Sequence, residues 1–385
     1  MSDQATPVEF AVDNNHALPR LLVRNMVFGF LTLGFYRFWA KTALRRHFWA
    51  RIAVADEPFE YIGIGRELFI GFLIVMAAFM PLSIGYSVLQ TAVLDSPATI
   101  MVLSAAYSIA MFVLTFAATY RARRYRLSRT VWRGVRAGQD GSTWRYVGLA
   151  AAWAVPVVLT AGLALPWGAA ALARYRMDHT YWGSFRGSFT GIGRQLFAAW
   201  LPFWGIGVIG VILLSMVLPD TEMHREMAEE DPVFAYVMIG LIGFAVGYLL
   251  FQARWLRWYA SHAALGPLRF SCTLRLRNVI LYAVPAVLLP AIFVAVMVAV
   301  GYMAIDLLLK IGVVAAIAGG AILVMAIWGG LRILFTLTVY VPILRHIVTS
   351  ISISHLDAAS GAAQSENLPQ RFGEGLADSF EIGIA

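Results

Sequence analysis

Apolar residues fill four long runs, Leu68–Leu89, Ile100–Ala118, Val233–Phe251 and Val279–Ile305. A helix needs about 20 apolar residues to cross a hydrocarbon core, and each run is about that long. None alternates apolar with polar positions, and all exceed ordinary strand length, so the pattern predicts helices. Each helical stretch ends in a basic, aromatic motif. Arg124-Tyr125-Arg126-x3-Thr130-x-Trp132-x3-Arg136 returns 50 residues later as Arg174-Tyr175-Arg176-x3-Thr180-x-Trp182-x3-Arg186.

A second register, a shift of 128 residues, aligns Thr32-x-Gly34-x4-Trp39-x3-Ala43-Leu44-x-Arg46 with Thr160-x-Gly162-x4-Trp167-x3-Ala171-Leu172-x-Arg174. The same shift aligns Gly63-Ile64-Gly65-Arg66-x-Leu68-Phe69 with Gly191-Ile192-Gly193-Arg194-x-Leu196-Phe197. Fainter copies of the basic motif start at Arg257 and Arg345. The reading is one structural unit copied along the chain, its basic end returning to one side of a membrane. Arginine concentrates in cytoplasmic loops, so that side is the cytosol. The loop Asp220–Asp231 and Asp95, which carry acids and no basic cluster, belong to the opposite side.

Residues 66–123, 194–257 and 277–345 have room for an outward and a return crossing. Residues 18–47 and 146–175 do not, since two full crossings take about 40 residues. The economical solution is a short re-entrant hairpin with its tip at Thr32-Leu33-Gly34 or Thr160-Ala161-Gly162, where glycine permits a close reversal. A single crossing, which would put alternate basic motifs outside, is the competing solution. Segments Trp49–Ala55, Phe59–Ile62, Thr180–Thr190 and Ala263–Leu274 read as small cytosolic β-elements, either packed together under the helices or lying as separate juxtamembrane loops, with Asp56-Glu57-Pro58 as a turn. The expected fold class is therefore an all-α polytopic membrane protein of repeated long and short helical hairpins. Residues 1–17 form a polar N-terminal segment, 18–356 the membrane domain, and 357–385 an acidic tail.

Composition supports the membrane reading. The chain is 60% hydrophobic and 14% charged, against roughly 25% charged in soluble domains; its mean hydropathy is +0.71. The net charge is +8, and all its lysines and arginines are arginine except Lys41 and Lys310. Membrane topology accounts for this charge without nucleic acid. The single cysteine, Cys272, excludes an internal disulfide and a cysteine metal site. No metal-ligand spacing, serine nucleophile elbow or paired-carboxylate site stands out, so neither enzyme chemistry nor a cofactor is expected.

Three blocks carry a family likeness: Thr32-Leu33-Gly34-Phe35-Tyr36-Arg37-Phe38-Trp39-Ala40-Lys41, Arg45-Arg46-His47-Phe48-Trp49, and Phe59-Glu60-Tyr61-Ile62-Gly63-Ile64-Gly65-Arg66-Glu67-Leu68. With the closing Gly373-Glu374-Gly375-Leu376-Ala377-Asp378-Ser379-Phe380 they resemble the YjgN-like family of bacterial inner-membrane proteins, across nearly the whole chain. The second hairpin departs from this pattern, with Ala164-Leu165-Pro166 where the first has Tyr36-Arg37-Phe38. The resemblance implies a multi-pass inner-membrane location and supplies no catalytic residues.

Two sets of residues remain as site candidates. Arg46, Arg124, Arg174, Arg257 and Arg345 could bind anionic lipid headgroups or an anionic solute at the membrane boundary. The plainer reading is that they snorkel while neighbouring Tyr and Trp anchor the helix ends. Arg332, about 20 Å deeper than Arg345 on a continuous helix, and Arg37 near a hairpin tip could form an intramembrane polar site. Asp306 or Glu67 would be the partner of Arg332. The functional expectation is a transporter or channel-like carrier of a small anionic solute or lipid. The alternative is a non-transporting scaffold that binds anionic lipid or a cytosolic partner through its arginine-rich face.

Overall fold

The computed structural model describes residues 5–11, 16–93, 96–217, 232–275, parts of 277–301, and 313–362. The acidic loop Asp220–Asp231, Asp95, Asp306 and the tail beyond residue 362 lie outside the described residues.

A recurring order runs through the chain: two helices, then a short β-hairpin. Strand β1 (Thr6–Phe10) precedes α1 (Ala17–Leu31) and α2 (Arg37–Trp49), which lead into β2 (Ile52–Val54), β3 (Glu57–Pro58) and β4 (Glu60–Tyr61). Helices α3 (Gly65–Ala92) and α4 (Pro97–Ser128) lead into β5 (Thr130–Trp132) and β6 (Val135–Gln139). Then come α5 (Thr143–Leu159), α6 (Leu165–Asp178), β7 (Thr180–Trp182) and β8 (Phe185–Phe189). Helices α7 (Gly193–Val217) and α8 (Pro232–His262) end in β9 (Ala263–Leu265) and β10 (Leu268–Cys272). The last described stretch is α9 (Val313–Phe335), a π-helical turn at Thr336–Tyr340, α10 (Val341–Thr349) and β11 (Ile351–Ser354).

The strands overturn the expected all-α class. Of the two arrangements open to the β-elements, the strands take the packed one and join a single 11-stranded antiparallel sheet, in the order β3-β2-β1-β11-β10-β9-β8-β7-β6-β5-β4. The two ends of that order are neighbours in the chain. Around Phe59, β3 pairs with β2 (Val54↔Glu57) while β4 pairs with β5 (Tyr61↔Thr130), so the sheet comes back on itself as a nearly closed ring. On another side, β1 pairs with β11 (Thr6↔Ile353), joining segments from opposite ends of the chain. Strands of two to five residues are too short to display a period, which is why the sequence pattern understated them. The first hairpin turn is Ala55-Asp56 rather than Asp56-Glu57-Pro58. Both residues have positive φ, as do Arg133 and Gly134 in the β5–β6 turn, the conformation that matches the twist of a two-residue hairpin.

Side chains from all round the ring meet in its middle. Val8, Val54, Trp132, Trp182, Leu268 and Ile353 form one buried cluster. Trp132 and Trp182 pack at 4.9 Å between ring centroids, with Phe59 5.8 Å from Trp132. Each indole donates to a carbonyl of the preceding hairpin, Trp132 to Glu57 at 3.2 Å and Trp182 to Val135 at 3.1 Å. An aromatic filling with its N–H groups satisfied suits a closed core.

The helices stand on this ring as a belt in chain order. Consecutive helices from α1 to α8 touch, and α9 touches α1. Among the described residues, three helical stretches are long and apolar enough to cross a membrane: Gly65–Ala92, Pro97–Ser128 and Ile327–Thr349. Burial in α3 and α4 is confined to the ends near the ring, at Gly65, Leu68 and Gly71 and at Tyr120, Ala122 and Tyr125. Their far halves expose Ile84, Val88, Met101 and Val102. Within that hairpin, Tyr86 stacks on Tyr107 at 4.3 Å and bonds to Ser104.

The pairs α1–α2 and α5–α6 are shorter and reverse in the same way. Thr32 Oγ1 donates to the Phe28 carbonyl at 2.7 Å and accepts from the Tyr36 N–H. Thr160 Oγ1 does the same with Pro156 and Ala164. Gly34 and Gly162 take φ of 88° and 92°, which glycine adopts without penalty.

Candidate functional site

The site lies where the helices meet the ring. At three joints the first arginine of the basic motif makes the same bond. Arg46 Nη2 donates to the Gly63 carbonyl at 2.7 Å, Arg174 Nη2 to Gly191 at 3.0 Å, and Arg124 Nη2 to Gly141. Each bond spans 17 residues and ties the end of one helix to the turn that starts the next. Arg46 and Arg174 remain exposed, so a guanidinium with five donors keeps most of them facing outward. Arg124 also lies over the Tyr120 ring, 5.3 Å from its centroid.

The other two arginines of this set are placed differently. Arg257 and Arg345 are exposed and, among the described residues, make no such bond to a following turn. Arg345 instead joins His47 and Arg51 on the wall of a cavity of about 80 Å³. Phe10, Leu18, Phe48 and Val341 supply its apolar side.

Arg37 and Arg332 are not brought together. Arg37 is exposed near the first helical tip, its guanidinium 4.8 Å from the Phe38 ring centroid and 4.5 Å from that of Phe72. Arg332 is exposed on α9, and its carbonyl accepts from Thr336 Oγ1 at 2.6 Å. Glu67, one proposed partner of Arg332, is occupied elsewhere. It takes Arg129 in a bidentate pair, with Nη2 to Oε1 at 2.7 Å and Nε to Oε2 at 3.0 Å, and Tyr125 OH at 2.7 Å. Burial alone would lower the Arg129 pKa, but the Glu67 carboxylate outweighs it and holds the guanidinium above its ordinary value.

Sequence reasoning missed an inner tier of arginines. Arg45, only 2% exposed, donates from Nη1 to Tyr61 OH at 3.3 Å. Arg123, near the end of α4 as Arg45 is near the end of α2, donates from Nη1 to Gln139 Oε1 at 2.6 Å and to Thr180 Oγ1 at 2.8 Å. The Arg45–Tyr61 and Arg123–Gln139 bonds each span 16 residues. The signal was present: Arg45-Arg46 and Arg123-Arg124 are doublets at aligned positions, and the first member of each points inward. Arg176, two residues past Arg174, buries its Nε without a partner among the described residues. Chemically this boundary is rich in cationic donors arranged in two layers, a rim that is open and a tier that is covered. Such an arrangement suits anions held by charge-assisted hydrogen bonds.

Fold and boundary together define a helix-rich protein of the membrane-associated type, with long apolar helices carried on a ring of short strands. Residues 5–379 match DUF898, a family of bacterial proteins of unknown function, and the chain belongs to that family. The YjgN-like resemblance is to this same family. No curated protein and no solved structure matches the chain.

Proposed function

We propose that the chain is a multi-pass scaffold of the bacterial inner membrane that gathers anionic lipid headgroups on its cytosolic, arginine-rich rim. The observation that carries this is the outward placement of Arg46, Arg174, Arg257 and Arg345 at one level, where the helices join the ring. In this reading the rim is built from copies of one unit, as the three equivalent arginine bonds suggest. The short helix pairs re-enter the membrane rather than cross it. What supports that is their length, 15 and 17 residues for α1 and α5, about 22–26 Å of helix against a core of about 30 Å. Their exposed apolar tips, Leu33 at 83% and Leu159 at 81%, also suit immersion in lipid.

A carrier is the weaker reading. It would want a polar path, whereas Trp132, Trp182 and Phe59 fill the ring, and Arg37 and Arg332 lie apart on outer surfaces. The test uses Arg257 and Arg345, which fasten no turn among the described residues. The variant with both Arg257→Gln and Arg345→Gln is extracted from vesicles of mixed phosphatidylglycerol and phosphatidylcholine, and retained lipid is counted by native mass spectrometry. A basic residue near the surface contributes about 1 kcal/mol to anionic-lipid attraction, so preference should fall about fivefold per site. Unchanged preference would remove the scaffold reading. Loss of solute accumulation on Arg332→Leu in a normally folded protein would restore transport.

A further inference from the structure

We infer that Arg123, Arg176 and Gln139 form a buried oxyanion site, between α4, α6 and the β6–β7 pair, that takes a phosphate group. This rests on the lipid reading only for the source of that phosphate.

Arg123 reaches this place from the last turns of α4. Its Nη1 meets three neutral acceptors: Gln139 Oε1, Thr180 Oγ1 and the Arg176 carbonyl at 3.3 Å. None offsets its charge. The groups that act on it electrostatically are Arg176 and Arg126, which repel it, and the Tyr259 hydroxyl. Tyr146 is within electrostatic reach of the same two guanidiniums, Arg176 and Arg123. The carboxylates nearest in sequence are committed elsewhere or open to solvent: Asp140 pairs with Arg186, and Asp178 is exposed. Two clustered, half-buried cations with no carboxylate paired to them among the described residues are costly unless an anion joins them.

Two donors then point to the missing group. Gln139 is 1% exposed, and its Nε2, although its side chain lies beside the Tyr120 hydroxyl, makes no well-formed hydrogen bond among the described residues. Arg176 Nε is buried and equally unpartnered. Gln139 cannot be turned to cure this, because its Oε1 is held by Arg123 at 2.6 Å. Buried donors are almost always satisfied. The surrounding hydroxyls of Thr180 and Tyr259 add polar capacity. Donors of this kind, cationic forks plus an amide N–H, are what phosphate oxygens require.

The experiment uses the full chain, delipidated in a neutral detergent and a phosphate-free buffer. Thermal unfolding is followed with inorganic phosphate or with short-chain phosphatidylglycerol. At a ligand concentration of about 100 Kd the midpoint should rise by about 3 °C. A rise with both probes, or with either alone, supports the site; lipid alone identifies a headgroup held with its tails, and phosphate alone a soluble anion. Arg176→Gln should abolish the rise. Gln139→Glu supplies the anion internally, so it should stabilise the ligand-free protein and remove the response. The doubly substituted rim variant, Arg257→Gln with Arg345→Gln, should keep its response to inorganic phosphate, which separates this site from the rim. No rise with either probe, a full rise in Arg176→Gln, or a destabilised Gln139→Glu that still responds would each overturn the inference. Should Arg176→Gln not fold, Gln139→Glu decides alone, and its failure to fold would count against an anion there.

Discussion

The joints between α2 and α3 and between α6 and α7 share a frame and differ in filling. Trp39 packs against Gly65 in the first and Trp167 against Gly193 in the second. Arg46 fastens the first turn and Arg174 the second. Behind that frame the first joint buries Arg45 against Tyr61, while the second buries Ala173 and Phe189 in an apolar cluster. Both fillings support the same backbone. A buried arginine is therefore not a requirement of this architecture, and where one occurs its charge needs its own explanation. Arg123 and Gln139 repeat the polar filling at the joint where two donors stand unmatched.

The largest contrast is electrostatic. The third residue of α3 is Glu67, and that of α7 is Gln195. Glu67→Gln gives the first joint the second joint's side chain, but Arg129 then loses its counter-charge in a pair whose side chains are only 15% and 13% exposed. Breaking a covered ion pair by neutralising one partner should cost about 3 kcal/mol, read as a lowered unfolding midpoint in detergent. A midpoint equal to that of the unsubstituted chain would mean that this pair contributes nothing to the joint.

The shared frame is tested next. A Cβ on Gly193 would sit 2.6 Å from Trp167 Cα, and one on Gly65 2.9 Å from Trp39 Cα. Backbone atoms cannot swing aside, so Gly193→Ala and Gly65→Ala should each destabilise by about 2 kcal/mol, the usual scale for overpacking. Similar losses at both joints would support a common frame. A loss at one joint only would break the comparison.

A smaller effect belongs to the first joint's filling. Tyr61→Phe removes the hydroxyl that accepts from Arg45, and a lost hydrogen bond of this kind should cost about 1 kcal/mol. Adding Arg45→Met should recover most of it, because replacing both partners by apolar groups is close to neutral. A double variant much worse than the single would mean that Arg45 holds the frame after all.

How much of this was legible in the sequence follows from the range of each interaction. The long helices could be read because twenty or more apolar residues are a strong local signal. The reversals at Thr32–Gly34 and Thr160–Gly162 could be read because glycine and threonine mark a turn within a few residues. The ring could not. The strands are two to five residues long, and one hairpin meets the next only across a helix pair, as Gln139 meets Thr180, so no local pattern announces the closure. The rim arginines were visible as a motif. The inner tier was visible only as doublets, because whether Arg45 or Arg46 turns inward depends on helix rotation against a sheet not yet in view.

The smallest effect is expected at the second joint, from the reciprocal exchange Gln195→Glu. Gln195 Oε1 accepts from the Ile192 N–H and from Trp258 Nε1, both at 3.1 Å. A carboxylate can accept both bonds. It would sit in the first turn of α7, where a negative charge is favoured by the helix dipole by about 0.3–1 kcal/mol. Gln195 is exposed, so desolvation takes little away. The change should leave the unfolding midpoint unaltered or slightly raised at neutral pH, and the gain should vanish as acid protonates the new carboxylate. The first joint uses its carboxylate to hold an arginine, whereas the second would use it only to cap a helix. A clear destabilisation by Gln195→Glu would show that the two joints differ in more than their filling, and that the neutral amide is itself required beside Trp258.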